Sequence, residues 1–145
     1  MKKIFSKIEP GTLLHIVNRI DDPEMVALQA KAEGGRIDIA PKGEFLQAAV
    51  LQMNAGKTFK AHKHITHEKT TNIAQESWVV LSGSVIATLY DLDDSIISEE
   101  TLNAGDLSMT FRGGHNYLAA SPNTFVYEFK TGPYLGQELD KTFIE

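Results

Sequence analysis

Between residues 76 and 130 the chain is a run of short segments in which apolar and polar residues alternate, each ended by a turn signal. Alternation at period two places one face of a strand in a core and the other toward water. The segments 76–81, 84–90, 96–102, 107–111, 116–120 and 124–130 are punctuated by Ser82-Gly83, by an acidic turn at 91–95, by Asn103-Ala104-Gly105-Asp106, by Arg112-Gly113-Gly114 and by Ser121-Pro122-Asn123. Strands this short and evenly spaced predict an all-β barrel or sandwich. Ser82-Gly83 in particular predicts a tight hairpin between its flanking strands.

The first half reads less regularly. Residues 45–53 predict a strand with apolar or small side chains on both faces, which requires cover on both sides. A second copy of the chain or the N-terminal segment could supply the outer cover; the second copy is favoured, so a homodimer is expected. Residues 58–64 predict another strand, and 65–75 are too polar for a core strand. Strands are also expected at 13–17 and 36–39. Asp22-Pro23 ahead of residues 24–33 and Gly34 behind them carry start and stop signals for one short helix. Met25, Leu28, Gln29 and Ala32 form its weak apolar stripe.

At 145 residues, one domain is expected: an N-terminal extension over 1–43, a barrel core over 44–131 and a tail over 132–145. A net charge of −5 leaves no basic stripe for nucleic acid. No stretch has the roughly 20 apolar residues of a membrane span, and no signal segment is apparent, so a cytoplasmic protein is expected. The absence of cysteine leaves nitrogen and oxygen as the only strong metal donors.

Those donors are concentrated. His62 and His64 flank Lys63, and two histidines one residue apart on a strand share a face. Glu76, with Trp78 and Val80, takes the inward face of its strand, and His115 follows Gly113-Gly114. Imidazole and carboxylate ligands suit Zn, Fe, Mn or Ni, and a three-His, one-Glu set leaves open positions on a six-coordinate ion. Glu68 and His67 compete for places in that set. His15, on an apolar strand, reads as a structural or interface histidine.

The stretch from Gly56 to His115 resembles the cupin superfamily. Gly56, His62, His64, Glu76 and Gly83 stand in the relations of its first motif, and Gly105-Asp106 and His115 are similar to its second. Eleven residues separate His64 from Glu76 where the usual pattern has three or four, so residues 65–75 read as an insertion over the barrel mouth. The second motif has Phe111 where a proline is usual and only Gly114 where two residues precede the histidine. Gly113-Gly114-His115 and Gly132-Pro133-Tyr134 look similar to a small single-domain subgroup loosely associated with surface-sugar biosynthesis.

The resemblance implies a cupin jelly-roll barrel with at most one short N-terminal helix. It implies one divalent transition metal held by His62, His64, Glu76 and His115. Such a centre would polarise a carbonyl or hydroxyl of a small polar substrate, a sugar or sugar derivative among them. In that reading Trp78 and Tyr117 contact substrate and His67 is the candidate acid–base residue. Two alternatives stand beside this enzyme: a non-catalytic module that binds a small ligand or senses metal, and a metal-free, isomerase-like protein using His62 or His64 as a free acid–base histidine.

Overall fold

The computed structural model describes all 145 residues. In chain order the strands are β1 (Lys2–Phe5), β2 (Leu13–Asn18), β3 (Gly35–Asp38), β4 (Ala49–Gln52), β5 (Glu76–Ser82), β6 (Ser84–Tyr90), β7 (Ile96–Asn103), β8 (Leu107–Thr110), β9 (His115–Ala119) and β10 (Phe125–Lys130). Helix α1 (Pro23–Gln29) follows β2, and a single turn, α2 (Gln137–Asp140), follows β10. No helix is long and apolar enough to cross a membrane.

The strands form three antiparallel sheets, ordered β1-β2-β8-β5-β10, β7-β6-β9 and β3-β4. Alternation is cleanest in β6, where Val85, Ala87 and Leu89 are buried and their neighbours are half-buried. These three pack with Leu102 of β7 against Ile4, Val17 and Val80 of the five-stranded sheet, making the layer between the two larger sheets. The other face of the five-stranded sheet is covered as well. Ile16, Met109 and Phe111 meet Ile39, Ala40, Leu46, Ala48 and Val50 around the β3–β4 pair. Strand β2 is therefore buried almost throughout, as a central strand with two covered faces must be.

The expected all-β class is present, but no strand pairing closes the sheets into a barrel. On the side where β1 lies near β7, the gap is tied by ion pairs from Lys2 and Arg19 to the buried carboxylate of Glu100. On the opposite side β9 and β10 end their sheets without a further strand partner.

Several local expectations change. Ser82-Gly83 is no hairpin: β5 pairs with β8 and β10, β6 with β7 and β9, and the chain changes sheet at Gly83. Gly83 has φ +73°, and a Cβ there would lie 2.6 Å from Thr124 Oγ1. Residues 53–75 contain no strand, so the expected strand at 58–64 is absent. Their polar composition provides no apolar row to bury. The strand expected over 45–53 is shortened to β4, with Leu51 and Met53 exposed.

Helix α1 buries Met25 and Leu28 but stops at Gln29. The Asp22 carboxylate does not cap it, because it accepts a hydrogen bond from the Arg19 amide at 2.9 Å. Gly34 serves a close approach to β4: a Cβ there would lie 2.4 Å from the Gln52 carbonyl oxygen. The turn α2 exceeds the single helix expected.

Phe111 is fully buried while Phe129 is half exposed. Phe111→Ala is expected to lower the unfolding free energy by about 3–5 kcal/mol. Phe129→Ala should change it by less than about 0.5 kcal/mol. Urea titrations of the two variants check this contrast.

Candidate functional site

Strand register builds the site. Glu76 on β5 is paired with Thr110 on β8, and Thr110 with His15 on β2, so the three form one row across the five-stranded sheet. Trp78 and Ser108 form the next row on the same face. Across the gap, β9 places His115 beside Leu89 and Tyr117 beside Ala87. The face that is apolar around Val80 and Val85 is thus polar at its other end.

His115 Nε2 lies 3.2 Å from Glu76 Oε1. The Trp78 indole N–H donates to the same carboxylate oxygen at 2.8 Å. Trp78 and Tyr117 stack with centroids 4.1 Å apart and planes 17° from parallel. The His115 ring is 5.2 Å from that of Tyr117, whose hydroxyl is 2.7 Å from Ser108 Oγ. His115 Nδ1 is buried without a hydrogen-bond partner.

Burial opposes the charge on Glu76. The hydrogen bond and charge of His115, with the Trp78 N–H, outweigh it and hold the carboxyl below its ordinary range. Tyr117 is pushed up to about 12, chiefly by burial, against the Ser108 hydrogen bond and with help from the Glu76 charge. At neutral pH the group therefore holds an ionised carboxylate and a protonated phenol.

His15 is a buried neighbour of this group. Its Nε2–H donates to the Tyr90 carbonyl at 2.9 Å, and its Nδ1 lies 3.0 Å from Thr110 Oγ1, which donates to it in the neutral ring. Burial lowers its pKa to about 4, against the Tyr90 hydrogen bond. It holds β2, β8 and the end of β6 together, in keeping with the structural role expected of it.

Of the residues expected to carry function, Glu76, Trp78, His115 and Tyr117 come together. His62, His64 and His67, with the competitor Glu68, lie on the exposed stretch 53–70. The His62 and His64 rings contact each other edge to face, 5.5 Å apart, and His62 Nδ1 is 2.9 Å from the Lys60 carbonyl oxygen. No three His, Asp or Glu side chains gather into a metal-sized group. The donors form two pairs, one between the sheets and one on the segment.

Sequence reasoning missed Ser108 and Thr110, which stand beside Trp78 and Glu76 in the sheet and bond Tyr117 and His15. Their alternation in Leu107-Ser108-Met109-Thr110 marked a polar face, but nothing local showed which face turned inward. It also missed Lys130, the register partner of Glu76, whose Nζ lies 3.6 Å from Asp140 and 3.9 Å from the Tyr134 ring centroid. Comparison with protein-family models, curated proteins and solved structures finds no match.

The lowered pKa of His15 predicts a pH dependence of stability. Below 6.5 the unfolded chain takes up a proton that the folded chain refuses until about 4. The contribution is therefore complete above 6.5 and lost as pH falls toward 4, amounting to about 3 kcal/mol. His15→Gln should flatten this part of the curve, as read by unfolding free energies measured between pH 4 and 8.

Proposed function

We propose that this chain is a cupin-type jelly-roll protein holding one divalent transition metal between its sheets and acting on a small polar substrate. The single observation that carries the reading is the contact between Glu76 and His115, 39 residues apart and 3.2 Å from each other across the gap. Two ligands each about 2.0–2.2 Å from one ion sit near this separation. The pair thus fits as two neighbouring donors, and the nitrogen and oxygen set suits Zn, Fe, Mn or Ni.

In this proposal His62 and His64 complete the set from the segment 53–75. When bound, the metal supplies Lewis acidity toward a carbonyl or hydroxyl. The protein's own groups do the rest. Glu76 stays ionised, Tyr117 keeps its proton beside Ser108, and Trp78 walls one side. His67 is the segment's candidate acid–base group. A sugar or sugar derivative is the proposed substrate class, and a cytoplasmic homodimer belongs to the same reading.

One observation favours a second reading, in which no metal takes part. Glu76 and His115 already hydrogen-bond directly, and such a pair can exchange a proton with a substrate carbon or hydroxyl. Metal content of protein purified without a nickel column separates the two. The metal reading expects about one equivalent, and less than about a tenth of an equivalent sinks it. Glu76→Ala should weaken retention about tenfold or more, whereas Glu68→Ala should leave it unchanged. Equal losses would remove Glu76 from the ligand set.

A further inference from the structure

The C-terminal segment passes close to both members of the Glu76–His115 pair. Lys130, opposite Glu76, is held to Asp140 and lies under the Tyr134 ring. Farther along, Lys141 adds its charge to the surroundings of Glu76. Ile144 reaches Gly114, next to His115, where a Cβ would lie 2.2 Å from Ile144 Cδ1. The segment runs from beside one half of the Glu76–His115 pair to beside the other.

Its outward side is apolar and uncovered. Leu135, Leu139 and Phe143 are exposed, Leu139 by 78%. Leu135 and Leu139 wall a groove of about 370 Å³ whose other wall is residues 71–74, the end of the segment that carries His62 and His64. That segment is anchored at Gln75, which bonds Leu46, Glu44 and Thr131. Every residue from 53 to 70 is exposed, and no hydrogen bond links 58–70 to the rest of the protein. It too carries uncovered apolar side chains, Phe59 and Ile65, the latter 87% exposed.

Charge agrees with shape. Lys57, Lys60, Lys63 and Lys69 outnumber Glu68 on the segment, while Glu138, Asp140 and Glu145 outnumber Lys141 on the C-terminal strap.

We propose that residues 53–75 are a lid that docks on the C-terminal strap, Phe59 and Ile65 packing against Leu135, Leu139 and Phe143, so that closure carries His62 and His64 to Glu76 and His115. This rests on the metal reading above. It explains why the four donors stand as two pairs with apolar surface left uncovered on both sides of one groove. Docking removes that surface from water and places opposite charges together.

The cysteine-free chain allows a direct test with nitroxide labels at Thr66→Cys and Gln137→Cys, both exposed, uncharged positions that the docking contacts do not use. Distances between the labels are measured by electron spin resonance with and without zinc, alongside zinc stoichiometry by equilibrium dialysis. Zinc should bind and shift the distance distribution to shorter values, and Leu139→Asp should abolish the shift. Bound zinc with an unchanged distance would overturn the lid and the joining of His62 and His64 to Glu76 and His115, leaving zinc on one pair alone. A shift that persists in Leu139→Asp would overturn the strap as its docking surface, and a chain that binds no zinc would overturn both lid and site.

Discussion

One apolar layer holds the two larger sheets together, and it covers only part of their facing surfaces. Val80, Val85, Ala87, Leu89 and Leu102 fill that part, with Ile4 and Val17 behind them. Because the β3–β4 pair closes the opposite face of the five-stranded sheet, the central strands are fixed from both sides. The remaining end of the gap can then afford polar groups. Glu76, His115, Tyr117, Ser108, Thr110 and His15 all sit on frames set by the apolar layer.

Electrostatics within that end are constrained by burial. A carboxylate withdrawn from water is unfavourable without a partner. Glu76 meets the requirement with an imidazole and an indole N–H on one oxygen. The unpartnered His115 Nδ1 shows that the group is not fully satisfied by its own members. An incompletely satisfied polar cluster beside an open sheet edge has the chemical character of a binding site.

The strands from 76 to 130 were legible because alternation at period two is local and their turns carry Gly, Asn, Asp or Pro. Strand partners were not legible, as Ser82-Gly83 shows: a two-residue glycine turn looks the same whether the chain folds back on itself or crosses to another sheet. The inward face of Glu76 was legible from alternation along its strand, whereas His115 stood out only through the resemblance of Gly105-Asp106 and His115 to a known motif, and the contact between the two was not legible at all. Nor was the placement of His62 and His64, since residues 58–64 lack the apolar row that would bind them to a sheet. The end of α1 was obscured by Gly34, whose purpose is the approach of Gln52. Ser108 and Thr110 were hidden because a small polar residue on a strand reads as solvent-facing until its partners are known.

In the proposed metal centre, Glu76 and His115 share one ion with His62 and His64. Anomalous diffraction from crystals of metal-replete protein at the relevant transition-metal edge tests it most directly. The account predicts a single strong peak within about 2.0–2.2 Å of a Glu76 oxygen and nitrogens of His115, His62 and His64. A peak held only by His67, Glu68 and their neighbours, with Glu76 still bonded to His115, would contradict it.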